Sequence, residues 1–571
     1  MRLRRARTLA QRSIQWLTRP IITKHALLLA FAVGLALRLA TIWTRPPQYD
    51  GTAYMALADS IANGDGLVAP WGRFDDPFSS SPELTDLSPL FPAYLASFYR
   101  ALGFSIEATQ WAGFLLGVLV LATAFWASSD LYGRSTGLLT CAVLAVVPAL
   151  ILFPGMEWAD NLPVLFFILA LWGLIRGLRN NHPWFFAAGG FALALFALSK
   201  AHEIGVVTAT LAAAGFLAWR MWEKGPIGLR SLSTWAFLGG FLLPVGAWLA
   251  WGPRPPAGPV LAARPPFEVM IGAFVKLLFV VVASVLIVGF FLPELRLARG
   301  AWHTEEGRLL WSAAVALPLL VWVLLSTSYA SGTSPWEPAW KAEQARHLVP
   351  AFVPILWLAA PHVRDSPADG WTLPFKRMPQ IRHLAAVAAF ASIPFVVWIG
   401  TFEEGLLFAA VGLALMVRWS RVRILLLLVL AILIASNGAL AVSNGPHVAA
   451  GNWLRDHATP GDAVAVDPWV PFENGTVIPG PTCKYELYPY LAELNLRVIP
   501  YAPGVNATFV FSYRTSSLPG YQMVAGFSGE YQPGPLSRLW DGSVTFLKGL
   551  SGERPSAQST EPTAWILARE P

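Results

Sequence analysis

The feature that most constrains this chain is a run of apolar residues, about twenty long, that recurs from His25 to Val442. A helix of that length crosses a hydrocarbon core about 30 Å thick. Inside that core no water pairs with free backbone N–H and C=O groups, so each run must close its own hydrogen bonds as a helix. Composition agrees: 55% of residues are hydrophobic and 13% charged, against about 25% charged in a soluble domain. The chain reads as an α-helical polytopic membrane protein.

Charge sets the sidedness. The net charge of +7 could suggest nucleic acid, but the Lys and Arg residues sit in short loops between spans, the pattern that holds loops inside. No nucleic-acid partner is expected, and membrane lipids surround the chain. Residues 1–24 form a basic tail with no acid, which predicts a cytoplasmic N-terminus. No cleavable signal peptide is evident. Residues 25–442 hold about thirteen spans by length and composition. Span 1 is His25 to Thr44, and span 2 runs from about Gln110 to Ser128. Spans 3 to 6 fall near 136–153, 158–176, 184–199 and 203–221, span 7 near 234–252, span 8 near 268–293, span 9 near 309–328 and span 10 near 347–362. Basic loops then alternate with acidic ones, and an odd count places residues 443–571 outside.

The first outer loop, residues 45–108, is too long for a mere connection, since most are about 4–6 residues. Asp50 follows span 1 closely, behind Arg45-Pro46-Pro47. A carboxylate near the bilayer tends to mark function, and this one could act as a general base on a hydroxyl. A solvated loop acid would look the same. Thr52 to Asn63 and Leu90 to Leu102 have apolar residues at helical spacing and predict two amphipathic helices lying in the interface. Tyr49, Tyr54 and Tyr94 would line a cavity there.

More charges cluster at the same depth. Glu157 and Asp160 lie between spans 3 and 4; Lys200, His202 and Glu203 lie between spans 5 and 6; Arg346 and His347 start span 10; Arg38 and Lys276 fall within spans 1 and 8. Cations here could hold a phosphate through charge-assisted bonds. For any single one of them, snorkelling to the headgroups is the simpler reading. The acids admit a divalent cation, Mg or Mn, but their spacing does not require it.

Residues 443–571 change character. A helix around Asn452 to Ala458, a second over Leu487 to Leu494, and strands at 463–466, 497–501, 508–513, 523–527, 544–547 and 565–568 predict a small α/β domain outside the membrane. It carries no nucleophile motif or phosphate loop, so its expected role is to cap the membrane part or grip an acceptor. Cys141 and Cys483 lie at different depths, which argues against a disulfide between them.

Several stretches together resemble bacterial glycosyltransferase family 39, which includes protein O-mannosyltransferases and lipid A aminoarabinose transferases within the GT-C superfold. They are Tyr49-Asp50-Gly-Thr-Ala-Tyr54, Asn63-Gly-Asp-Gly66, Ser88-Pro-Leu-Phe-Pro92, Leu131-Tyr-Gly-Arg134, Val147-Pro148 with Ala159-Asp160, Leu198-Ser-Lys200 and Ala345-Arg346-His-Leu-Val-Pro350. Gly51 stands where many members have a second acid, Asp160 where they have Glu, Lys200 where they have Arg, and His347 where they have Tyr. The resemblance implies transfer of a sugar, with inversion, from a polyprenyl-phosphate donor to a glycan, lipid or protein acceptor on the outer face of the cytoplasmic (inner) membrane. It implies Asp50 as the catalytic residue. Lys200, Arg346 and His202 are then expected at the donor phosphate, with Asp160 and Glu157 as acidic support or metal ligands. A transporter or flippase of lipid-linked sugars, or a non-catalytic membrane subunit, remains the alternative; inverted repeats and broken mid-membrane helices, which would favour transport, are not apparent in the sequence.

Overall fold

The structure is a computed structural model. It describes residues 20–72, 82–152, 161–199, 209–222, 231–251, 298–315, 349–365, 420–471, 477–532 and 564–569, with gaps of a few residues inside several of these stretches. The membrane part is built from α1 (Pro20–Thr44), α2 (Asp50–Asn63), α3 (Leu90–Leu102), α4 (Ile106–Tyr132), α5 (Arg134–Val146), α6 (Pro148–Leu152), α7 (Asn161–Asn180), α8 (Pro183–Leu198), α9 (Leu232–Trp251), α10 (Val349–Asp365) and α11 (Ser420–Ala439). Among the described residues, three helices are long and apolar enough to cross a membrane: Lys24–Thr44, Ile106–Tyr132 and Asn161–Asn180. Arg134–Val146, Pro183–Leu198, Leu232–Trp248 and Ile424–Asn437 are apolar but shorter. Spans 8, 11 and 12 of the sequence reading, and most of span 9, lie outside the described residues.

Local chemistry sets the helix ends. The α4 helix starts at Ile106 rather than Gln110 because Ser105 caps it, its Oγ accepting from the Ala108 N–H at 3.0 Å. It ends at Gly133, whose φ of 88° few other residues adopt. The α8 and α9 helices meet backbone to backbone. A Cβ on Gly190 would strike the Phe237 carbonyl, and one on Gly240 the Ala187 carbonyl. Without a hydrophobic force between helices in lipid, such small-residue contact is what holds a bundle. Outward-facing Leu28, Leu29, Trp43, Leu115, Leu119 and Trp126 are exposed in the isolated chain, as a lipid-facing surface requires.

One end of the bundle is closed by charge. Arg176 pairs with Asp130, which also accepts from the Trp172 indole at 2.8 Å. Arg179 donates to both Glu306 oxygens at 2.7 and 2.8 Å and to the Leu131 carbonyl at 2.7 Å; the Tyr132 hydroxyl reaches Glu306 at 2.6 Å. Arg220 approaches Glu305 at 3.9 Å. These residues come from the ends of α4 and α7, from the helical residues 212–222 and from residues 305–306, so loops distant in sequence converge. At the other end Thr44 donates to the Ala439 carbonyl at 2.7 Å, joining the end of α1 to that of α11.

The C-terminal part holds a five-stranded sheet of order β2-β1-β3-β5-β4, made of β1 (Ala463–Val466), β2 (Arg497–Pro500), β3 (Phe509–Ser512), β4 (Tyr521–Phe527) and β5 (Ala564–Arg569). The β1 strand is parallel to both its neighbours, and β5 is antiparallel to β3 and β4. These strands fall within two residues of their expected bounds; residues 544–547 lie outside the described ones. Three features differ from expectation. The last span ends at Ala439, and Val442–Asn444 is a strand paired with Glu530–Gln532. The helix expected around Asn452 starts at Pro446, where a proline suits the first helical turn, and runs to His457 as α12. The segment 483–491 forms two single turns, α13 (Cys483–Glu486) and α14 (Tyr488–Leu491).

The packing predicts a labelling pattern. With Cys141→Ala and Cys483→Ala as background, cysteines at exposed Ser97 and Asp456 react with an impermeant maleimide from one side of the membrane. A cysteine at exposed Thr304 reacts only from the other. Labelling of Ser97 and Thr304 from the same side would contradict the arrangement.

Candidate active site

The site is built on α2, whose first residue is Asp50, six residues beyond the end of α1. Pro47 before it is buried. An acid suits a helix N-terminus, where the unpaired N–H groups carry partial positive charge. The sequence predicts α2 as an amphipathic helix lying in the interface, and here the structure corrects it. Every residue from Gly51 to Ala58 is buried, Thr52 included. The helix is enclosed rather than half-wet, because α3, a short β-ladder (Val68–Ala69 with Glu83–Leu84) and the C-terminal segment 483–491 close over it. The α3 helix does have two faces: Phe91, Leu95, Ala96 and Tyr99 are buried, while Ala93, Ser97 and Arg100 are exposed.

Aromatic rings and polar contacts fix α2 to its neighbours. Tyr54 meets Phe91 edge-on at 5.2 Å, and Phe91 stacks with Tyr94 at 6.4 Å. The Tyr94 hydroxyl donates to the Ala112 carbonyl of α4 at 2.7 Å, and burial pushes its pKa up to about 12. Tyr54 and Tyr94 thus belong to one packed column between α2, α3 and α4. Arg100 donates to the Ile61 carbonyl at 2.9 Å and so caps the C-terminus of α2.

The sequence reading misses a second clamp. The Tyr488 hydroxyl donates to Asp59 Oδ2 at 2.7 Å, and the Tyr485 hydroxyl to the Gly72 carbonyl at 2.5 Å. Trp71 packs on both rings, at 5.9 and 4.7 Å, and Phe104 meets Tyr488 at 5.8 Å. Between the two tyrosines, buried Glu486 accepts from Tyr513 at 2.6 Å and lies 3.6 Å from His447. The C-terminal segment therefore grips α2 two to three turns after Asp50. The tyrosines at 485, 488 and 490 were the available signal, but nothing in the sequence pairs them with Asp59.

Burial raises the Asp59 pKa above its ordinary value; hydrogen bonds from Tyr488 and Asn63 oppose this, and Asp65 adds to it. Burial, then the Asp59 charge, raises the Tyr488 pKa in turn. Of the other expected site residues, Tyr49, Glu157, Asp160, Lys200, His202 and Arg346 lie outside the described residues, as does the side chain of Asp50. Among the described residues, no three His, Cys, Asp or Glu side chains are grouped to hold a metal ion.

The comparisons bear on the same elements. ArnT from Cupriavidus metallidurans, bound to undecaprenyl phosphate, aligns with 95% of this chain and 97% of its own at a TM-score of 0.54 and 13% identity. The fold is that of the GT-C glycosyltransferases. The Archaeoglobus fulgidus oligosaccharyltransferase in its apo form agrees, with 96% of this chain and 89% of its own covered, a TM-score of 0.52 and 11% identity. Residues 86–251 match the family model for dolichyl-phosphate-mannose-protein mannosyltransferase. The match runs from just before α3 to the end of α9 and includes Glu157, Asp160, Lys200 and His202; Asp50 and Arg346 lie beyond it. No curated protein matches by sequence. The GT-C fold and the glycosyltransferase resemblance of the sequence reading thus both hold, and a GT-C fold is a membrane-embedded one.

The Asp59 environment yields a signed prediction. A carboxyl whose folded pKa is raised binds its proton more tightly folded than unfolded. Stability therefore falls as pH rises from the ordinary carboxyl range through the raised value, and ionised Asp59 opposes the folded state above that window. Asp59→Asn keeps an acceptor for Tyr488 without the charge. It raises the thermal midpoint in detergent at neutral pH, and the gain shrinks as pH falls toward the ordinary carboxyl pKa. Tyr488→Phe lowers stability by about 1–2 kcal/mol, the lower range for a hydrogen bond to a charged group because Asp59 is only half-buried. An Asp59→Asn variant less stable than the parent at neutral pH would contradict the assignment.

Proposed function

We propose that this chain transfers a sugar from a polyprenyl-phosphate donor to an acceptor hydroxyl, with inversion, at the outer face of the cytoplasmic membrane. The observation that carries this reading is the placement of Asp50. It opens a helix that is buried along its first two turns, directly after a membrane span, in a GT-C fold. That the Cupriavidus ArnT holds undecaprenyl phosphate supports a lipid-linked donor.

In the proposed reaction Asp50 takes the proton from the acceptor hydroxyl. The acceptor oxygen forms its bond to the anomeric carbon while the bond from that carbon to the phosphate oxygen breaks. The electron pair leaves with the lipid phosphate, and attack from the opposite face inverts the centre. Phosphate is already a good leaving group, so the protein supplies position and charge more than a strong acid. Lys200, Arg346 and His202 are the proposed phosphate partners, and Glu157 and Asp160 the acidic support. Acceptor class stays open among glycan, lipid and protein. The proposed topology has about thirteen spans, the N-terminus inside, and the first outer loop and residues 443–571 outside; the contact of segment 483–491 with α2 supports a shared side for the last two.

Asp50→Asn keeps the size of the side chain but cannot take the proton. A positioned base contributes roughly 10²–10⁴ in rate. The variant is expected to fold, insert and bind donor, with turnover lower by about that factor. Asp50→Glu loses on the order of 10²-fold through misplacement near 1 Å. Near-parental transfer by folded Asp50→Asn enzyme would overturn the assignment of the base. Lys200→Ala and Arg346→Ala raise the donor Kd while leaving the thermal midpoint unchanged; parental donor binding in both would place the phosphate elsewhere.

A further inference from the structure

The α5 helix stops at Val146, and Pro148 opens α6. In an unbroken helix the N–H of residue 148 would bond the carbonyl of Leu144, but proline has none. Arg38 of α1 supplies donors instead. Its guanidinium donates through Nη2 to the Leu144 carbonyl at 3.1 Å and through Nη1 to the Ala145 carbonyl. Nη1 also reaches the carbonyl of its own Gly34 at 3.1 Å. Gly34 is what lets α1 come close enough, because a Cβ there would strike Ala145 backbone atoms. Both Nη atoms are therefore engaged, while the buried Nε has no hydrogen-bond partner. Arg38 is 3% exposed, so snorkelling does not account for it. Among the described residues, no carboxylate pairs with it.

A second orphan donor borders the same place. Asn161 is the first residue of α7 and is 1% exposed, and its Nδ2 has no hydrogen-bond partner either. A Cβ built on Gly117 of α4 would lie 3.4 Å from Arg38 Nε and 3.5 Å from Asn161 Nδ2. These are ordinary contact distances, so the missing side chain of Gly117 leaves a small gap bordered by two N–H donors. The N-terminus of α7 adds partial positive charge on the same side. Buried charges are paired and buried donors find acceptors. A water would need acceptors for its own protons, and the Leu144 and Ala145 carbonyls already receive Arg38. A ligand that only accepts, and that carries negative charge, answers both donors and the guanidinium. The gap is too small for a phosphate.

We infer that Arg38 Nε and Asn161 Nδ2 bind a monovalent anion of halide size beside Gly117, where α1, α4 and α7 meet. The site takes no part in sugar transfer, so it stands or falls apart from the proposed function. Bromide is the probe. Purified protein in detergent and sodium gluconate is titrated with sodium bromide at constant ionic strength. The thermal midpoint is expected to climb and saturate, as binding to the folded state alone requires, and sodium sulfate does not reproduce the rise. Asn161→Leu removes one donor and weakens the bromide response by about tenfold, the loss of one hydrogen bond to a charged group. Gly117→Ala puts a methyl group in the gap. The bromide response then disappears, and in bromide the variant melts below the parent because two buried donors have lost their acceptor. Crystals grown in bromide show an anomalous peak beside Gly117. A parent midpoint that ignores bromide would overturn the inference. So would a Gly117→Ala variant that melts above the parent in bromide, as alanine in an empty gap of a helix should; Asn161 would then be turned over, with its Oδ1 accepting from Arg38 Nε. Loss of stability in Gly117→Ala without any bromide response in the parent would mark a bridging water and equally reject the anion. If Gly117→Ala fails to fold, the parent and Asn161→Leu titrations decide alone.

Discussion

A free backbone carbonyl has no water partner inside hydrocarbon, and this bundle frees carbonyls at Pro148. The packing of α1 against α5 depends on how they are satisfied. A straight α5 would have needed no arginine, and the segment that follows would have left on the helix axis. The chain instead spends a buried guanidinium on the Leu144 and Ala145 carbonyls. A charge so far from water is tolerated because its donors are used on carbonyl oxygens, which carry partial negative charge. The sequence reading groups Arg38 with cations that could hold a phosphate. Its contacts show a different use.

The assembly around α2 follows a similar logic on a larger scale. A short helix such as α2 is marginal alone. It is held by an aromatic column toward α4, by Arg100 at its C-terminus, and by Tyr488 on Asp59 from the C-terminal segment. Enclosure excludes water from a helix that begins with Asp50, and low dielectric strengthens charge interactions nearby. The C-terminal part therefore does more than cover the bundle: removing the Tyr485–Tyr488 turn would open one wall around α2.

Much of this was legible in the sequence because periodicity is local. The apolar runs, the two short helices within residues 45–108, and strands such as 463–466 and 564–569 carry their pattern within a few residues. The glycosyltransferase resemblance was legible in stretches such as Ser88-Pro-Leu-Phe-Pro92 and Leu131-Tyr-Gly-Arg134. What escaped depends on tertiary partners. Part of the enclosure of α2 comes from a segment more than four hundred residues later, and no pattern in residues 50–63 announces it. Val442–Asn444 pairs with a strand at 530–532, a contact invisible to a hydropathy window. Arg38 looked like a functional cation because a sequence shows charge but not the carbonyls that engage it.

The central claim is bond-breaking transfer from a lipid-linked sugar. It is tested most directly by reconstituting the purified chain in liposomes with a pool of polyprenyl-phosphate sugars and candidate acceptors, then following both lipid and product by mass spectrometry. The account predicts free polyprenyl phosphate and an acceptor heavier by one sugar, in equal amounts, with the anomeric configuration inverted. Donor that crosses the bilayer intact, with no lipid phosphate released, would contradict it and mark the chain as a transporter.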